Sequence, residues 1–277
     1  MSPLDCSGIM TPAYAYKGIN QSVGREGRYP SQCFENQQSA TEVVAVDLAE
    51  NGKWGSYGIQ IDNDGDGQGD TETTTISNPV MVSGRKAIVI DSAPVAQDHA
   101  SLNPSDPNPF AGGLSVVLSN DGRYQKATHL EIWVRPQTAA TLIVELYDQD
   151  GATPTNQCSK WDTTPPGPEG CLVGGLGKDP GNYWLPITGD QFVAKLHLTS
   201  NGDWQRLLIP LDRFVDWNRA RDGKLVPGIT ENIGDGKLNP QSGEEFALHF
   251  TLVGANWGSP IKLAVGQQVR FVTIESK

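Results

Sequence analysis

No window of this chain keeps apolar residues at i, i+3, i+4 and i+7 for three turns, so the sequence offers no helix with a face to bury. Short runs in which every second residue is apolar recur instead, each ended by Gly, Pro, Asn or Asp. That period of two belongs to strands. The expected strands are Glu42–Leu48, Tyr57–Ile61, Thr73–Ile76, Lys86–Asp91, Leu114–Ser119, His129–Arg135, Thr141–Tyr147, Val193–Thr199, Gln205–Pro210, Glu245–Val253 and Gln268–Ile274. One short helical turn is expected over Asp212–Asn218. About ten strands joined by long polar connections predict an all-β protein, a two-sheet antiparallel β-sandwich with long loops. No segment repeats at a fixed period of about 20–50 residues, which argues against solenoids and propellers.

The chain has 277 residues, enough to bury a core without help from metal or disulfides. Residues 1–40 read as a disulfide-stapled N-terminal extension, and 41–277 as the β domain, with long surface loops over 92–112 and 150–182. Lys and Arg number 21 against 32 Asp and Glu, for a net charge of -11. With no basic stripe to displace phosphate counterions, nucleic acid is not an expected partner. No apolar stretch approaches the ~20 residues of a membrane helix, so membrane insertion is not expected. Met1–Asp5 shows neither a basic nor an apolar leader region. Cys6, Cys33, Cys158 and Cys171 allow three connectivities, which sequence alone does not separate. Local pairing, Cys6 with Cys33 and Cys158 with Cys171, is expected because each pair brackets turn-rich chain. None of the spacings is CxxC, which argues against zinc. Disulfides place the expected protein outside the cytosol, secreted or at the cell surface.

Asp62-Asn63-Asp64-Gly65-Asp66-Gly67-Gln68-Gly69-Asp70 is the sharpest local signal. Alternate carboxylates on a Gly-rich loop can converge on one hard cation, and calcium takes six to eight oxygens at ~2.3–2.6 Å. Asp62, Asp64, Asp66 and Asp70 are therefore expected to bind calcium. The spacing resembles EF-hand and thrombospondin type-3 loops, but Thr73 stands where an EF-hand places its bidentate Glu, and flanking helices are missing. Without a cation, the packed carboxylates would repel one another. The Asp-Gly-Lys-Leu segments at 222–225 and 235–238 lack alternate Asp residues and read as turns.

Several segments resemble jelly-roll carbohydrate-binding modules of the galactose-binding-like type. Val82-Ser83-Gly84-Arg85-Lys86-Ala87-Ile88-Val89-Ile90 is similar to their opening strand, and His129–Arg135 with Thr141–Asp148 to their central pair. Gly202–Leu211 with Phe214 resembles a "G-x-W … IPL-x-x-F" segment, and Phe246–Leu252, a Gly-containing loop and Val269–Ile274 resemble the closing strands. The family commonly closes on an Asp-Asp-hydrophobic strand; here that place reads Gln267-Gln268-Val269-Arg270-Phe271. The resemblance spans about residues 42–274. It implies a jelly roll that presents one concave sheet to a sugar chain.

Separating the two faces of each strand supports the same expectation. Leu130, Ile132, Val134, Leu142, Val144, Leu146, Leu196, Leu198, Leu207, Ile209, Phe246, Leu248 and Phe250 form the apolar set. The alternate positions collect His129, Glu131, Trp133, Arg135, Glu145, Tyr147, Lys195, His197, Arg206, His249 and Thr251. Trp133 and Tyr147 are the expected stacking floor of a sugar cleft, with Arg135, Glu145, His197 and His249 as hydrogen-bonding walls. No G-x-S-x-G, HExxH or P-loop motif occurs. The reading is non-catalytic binding of a polysaccharide or oligosaccharide. One alternative is a polysaccharide-degrading enzyme, a lyase or glycoside hydrolase on the same fold, using Glu131, Glu145 or the histidines. Another is a calcium-binding cell-surface adhesion protein.

Overall fold

Strands with one apolar face pair until that face is covered, and in this chain two such sheets cover each other. The computed structural model describes residues 9–12, 25–35, 39–49, 53–58, 60–61, 71–72, 74–94, 110–118, 122–148, 190–216, 237–239 and 246–274. Its strands are β1 (Ile9–Pro12), β2 (Arg25–Pro30), β3 (Thr41–Asp47), β4 (Lys53–Gly58), β5 (Gln60–Ile61), β6 (Thr71–Glu72), β7 (Thr74–Ile76), β8 (Val80–Val82) and β9 (Arg85–Ser92). They continue as β10 (Phe110–Leu118), β11 (His129–Pro136), β12 (Ala140–Asp148), β13 (Asp190–Leu198), β14 (Gln205–Pro210), β15 (Val215–Asp216), β16 (Phe246–Gly254), β17 (Ile261–Gly266) and β18 (Gln268–Thr273). Helical structure among the described residues is limited to 3-10 turns, at Ser31–Phe34, Arg123–Lys126 and Leu211–Arg213.

The first sheet runs β1-β2-β13-β12-β16-β10-β4, with β15 added to β13. The second runs β3-β18-β11-β17-β9-β7, with β14 added to β11 and β8 to β9. The chain is thus the all-β, two-sheet sandwich that the alternation predicts. Pairing is antiparallel in the centre of the first sheet, while β2 joins β13 in parallel. Part of the expected N-terminal extension is therefore built into the sandwich. Tyr29 and Phe34 are core residues, packed edge-to-face at 5.1 Å between ring centroids.

The helical turn expected over Asp212–Asn218 is a 3-10 turn at Leu211–Arg213 followed by the short β15. A further difference is β17, which lies where a Gly-containing loop was expected. Its large apolar residues, Ile261, Leu263 and Val265, do alternate, but of the intervening positions Lys262 alone is polar, and Ala264 and Gly266 are buried as well.

Phe246 and Phe250 from the first sheet meet Phe271, Leu130 and Ile132 from the second in one buried cluster. Tyr124, on the Arg123–Lys126 turn, closes one region of it: its ring centroid lies 4.9 Å from Phe246 and 4.8 Å from Phe271. One aromatic thereby ties the two sheets together.

β17 and β18 share one edge of β11, with a joint at Gln267. The Gln267 N–H donates to the Lys86 carbonyl, and its carbonyl accepts from the Leu48 N–H. Its side-chain amide donates to Asp47 Oδ2 at 2.6 Å. Carried across the joint unchanged, the Val134–Val265 register would set Glu131 opposite Gln268. Glu131 stands opposite Arg270 instead.

Candidate functional site

The ladder of the first sheet lays the outward residues of four strands into rows. On β12, Leu142, Val144 and Leu146 are buried inward, leaving Thr141, Ile143 and Glu145 on the other face. Glu145 is directly opposite His249 of β16, and His249 is opposite Ser115 of β10. One row along, Ile143 lies between Thr251 and Lys195. In the next row, Thr141 is opposite His197 of β13, with its hydroxyl 2.9 Å from His197 Nδ1. Glu145, His249 and Thr141 are half-buried and His197 is exposed, whereas Lys195 and Thr251 are buried. Tyr147 occupies the neighbouring register position, opposite Gln191 and Ala247; its side chain lies outside the described residues. Four of the six sequence-predicted positions, Glu145, Tyr147, His197 and His249, thus share one sheet.

Trp133 and Arg135 do not join them. Both lie on β11, in the second sheet, so the expected six-residue cleft is divided between opposite sides of the sandwich. Period-two alternation tells which side chains of one strand face the core. It does not tell which sheet the strand enters.

Nor is Trp133 an open stacking floor. The Arg85 guanidinium carbon lies 3.7 Å from its ring centroid, and the Trp133 indole N–H donates to Glu131 Oε1 at 3.3 Å. Arg85 is also 5.5 Å from the ring of Trp204, whose own N–H donates to the Val82 carbonyl at 3.0 Å. Local sequence could not reveal this stack, because it depends on the β8–β9 hairpin delivering Arg85 beside β11. The tight Ser83-Gly84 turn, with both residues at positive φ, makes that hairpin.

Glu131 is 1% exposed. Its Oε2 accepts from Arg206 Nε and Nη2, at 3.1 and 2.5 Å, and its Oε1 accepts from Arg270 Nε at 3.1 Å and from Arg270 Nη2. Burial works against its charge, but the hydrogen bonds and positive charge of Arg206 and Arg270 prevail, holding the carboxyl below the usual range. A general acid needs the opposite shift. Glu131 is therefore a structural anion, ill-suited to the acid role in glycoside hydrolysis. Burial lowers Arg85, as does Arg270, while Glu131 raises it. Burial also lowers His129, against a raising effect of Asp212.

Among the described residues no group of three or more His, Cys, Asp or Glu could hold a metal. Asp62, Asp64, Asp66 and Asp70 lie outside the described residues. The ends of their segment are nevertheless brought together: β5 and β6 pair antiparallel, Ile61 opposite Thr71. Cys33 packs against the core and is not a free thiol, while Cys6, Cys158 and Cys171 lie outside the described residues.

No protein-family model and no curated protein matches the chain. Among solved structures it is similar to the family 11 carbohydrate-binding module of the cellulosomal cellulase Lic26A-Cel5E of Clostridium thermocellum, at 14% identity and a TM-score of 0.43, over 87% of this chain and 99% of that one. It is similar to a Clostridium thermocellum family 11 module in complex with a β-1,3-1,4-mixed-linked tetrasaccharide, at 15% identity and a TM-score of 0.44, over 87% of this chain and 100% of that one. A family 30 carbohydrate-binding module is similar at 13% identity and a TM-score of 0.37, over 82% of this chain and 99% of that one.

Proposed function

We propose that this protein binds a polysaccharide or oligosaccharide without cleaving it, on the outward face of the first sheet. The observation that carries this reading is the register that sets Glu145 against His249, and Thr141 against His197, in rows of one sheet on either side of the Ile143 row. A carboxylate, two imidazoles and hydroxyls at strand spacing suit the alternating donors and acceptors of a sugar chain. Tyr147 belongs to the same face by register and is assigned the stacking role. Trp133 and Arg135 are not part of this site.

Two further features complete the reading. The segment 62–70 holds one structural calcium ion through Asp62, Asp64, Asp66 and Asp70, supported by the pairing of β5 with β6 at its ends. The cysteines form disulfides, Cys6 with Cys33 and Cys158 with Cys171, and the protein works secreted or at the cell surface. A glycan array, run with and without chelator, tests the function. Saturable binding without release of reducing or unsaturated sugar ends is expected. Failure to bind any glycan would overturn it.

A further inference from the structure

The chain crosses from the first sheet to the second between β13 and β14, and that crossing is held at both ends. At its start, Gln32 Nε2 donates to Thr199 Oγ1 at 2.8 Å and the Ser200 hydroxyl donates to the Gln137 carbonyl at 2.8 Å. At its end, the Trp204 indole N–H donates to the Val82 carbonyl at 3.0 Å, and β14 begins at Gln205. Between these anchors Asn201 and Asp203 are exposed. The sequence places Gly directly after Asn at 51–52 and at 201–202, and only the second pair lies among the described residues.

The backbone nitrogen that follows an asparagine can attack its side-chain Cγ, and glycine places no Cβ in the way of that approach. Gly202 has φ +72, and nothing lies within 4 Å of where its Cβ would stand. The turn also prepares the electrophile. The Asp203 N–H donates to Asn201 Oδ1 at 3.1 Å, the bond to the backbone two residues on that Asn side chains favour. That bond folds the side chain back over the Gly202 peptide unit, so the reacting atoms start close together. Attack at Cγ puts negative charge on Oδ1, where a backbone donor is already aimed.

We propose that Asn201 is a site of self-modification, at which the Gly202 nitrogen displaces the side-chain amide and water completes the conversion to an acid. A bond forms between Gly202 N and Asn201 Cγ, and the bond from Cγ to the side-chain nitrogen breaks. The proton from the Gly202 N–H leaves with that nitrogen as ammonia. Water then opens the cyclic imide at either carbonyl, which leaves aspartate or isoaspartate at position 201. Each event adds a negative charge to a chain of net charge -11. Aspartate keeps an acceptor for the Asp203 N–H. Isoaspartate runs the main chain through the former side chain, which lengthens the crossing between the Ser200 and Trp204 anchors. The site stands apart from the Glu145–His249 row and does not depend on what that row binds.

Ageing the folded protein in warm, mildly alkaline buffer, followed by peptide mapping with electron-transfer mass spectrometry, tests this. The segment around position 201 should gain the mass difference between NH and O, divided between aspartate and isoaspartate. The gain should proceed at least as fast as in the free peptide of residues 196–207, which has the sequence without the turn. Asn201→Gln should abolish the gain in that segment and leave the rest of the map unchanged. No conversion at 201, or a slower rate in the folded protein than in the peptide, would show that the turn shields Cγ and overturns the proposal. Persistence of the gain in Asn201→Gln would place the chemistry at another residue and overturn it equally.

Discussion

Arg206 grips Glu131 from one side, its Nε 3.1 Å and its Nη2 2.5 Å from the same carboxylate oxygen. Arg270 holds the other oxygen from the opposite neighbouring strand. Because these contacts hold the folded-state carboxyl below its unfolded value, they stabilise the protein above the unfolded carboxylate pKa. That contribution fades as pH falls through the folded value. Glu131→Gln should therefore cost about 3 kcal/mol at neutral pH, since it removes the buried anion that two guanidiniums share. The gap between variant and wild type should narrow in acid. Urea unfolding at pH 7 and again below pH ~4 checks this. A gap independent of pH would refute it.

Gly266 faces Trp133 across the β11–β17 pairing. A Cβ placed on it would meet Trp133 Cβ at 3.2 Å and Arg85 Cδ at 3.6 Å. Trp133 sits on a strand paired along both edges and has little room to retreat. Gly266→Ala should destabilise the fold by about 1–2 kcal/mol and shift tryptophan fluorescence as the Arg85 stack is disturbed. Wild-type stability and emission would count against the tight approach.

The two faces predict opposite outcomes for neutral glycan. His249→Ala or Glu145→Ala should weaken binding by about 1 kcal/mol or more with a small change in melting. Trp133→Ala should cost about 1–3 kcal/mol of stability and leave neutral-glycan affinity unchanged. Side-by-side titration and calorimetry of the three variants decide. A reversed pattern would move the sugar site to the second sheet.

Chelation should lower the melting temperature if Asp62, Asp64, Asp66 and Asp70 hold calcium. At a hundredfold excess of ion over its dissociation constant, the stabilisation is about 2.7 kcal/mol. Unchanged melting, with no metal by elemental analysis, would remove the ion.

Intact mass should fall short of the fully reduced value by about four hydrogens, one pair for each disulfide, with peptide maps linking Cys6 to Cys33 and Cys158 to Cys171. Two crossed linkages would keep the oxidised state but discard the pairing.

The sandwich was largely legible because its strands advertise themselves. Gln205–Pro210 matches its expected bounds, and His129–Pro136 and Ala140–Asp148 differ from theirs by no more than a residue at each end. Ile261–Gly266 is a weak signal because its alternation of Ile261, Leu263 and Val265 runs for only six residues and Lys262 is the one polar residue on its other face. The candidate site was legible strand by strand but not between strands. Glu145 and His249 face the same way because β12 and β16 pair, whereas Trp133 belongs to the other sheet because β11 pairs with β14, β17 and β18. These pairings join residues far apart in the chain, and no local pattern encodes them. Arg85 was hidden for the same reason.

The joint at Gln267 has a consequence for how this fold tolerates change in length. It displaces the pairing frame by two residues, an even step, so inward side chains such as Val265 and Val269 stay inward on both sides. Deleting one residue there would turn Val269 and Phe271 out of the core. Deleting two, with the displacement kept, would spare the inward faces but set Val272 opposite Glu131 in place of Arg270. The spacing between β17 and β18 is thus locked twice: once by oil, once by charge.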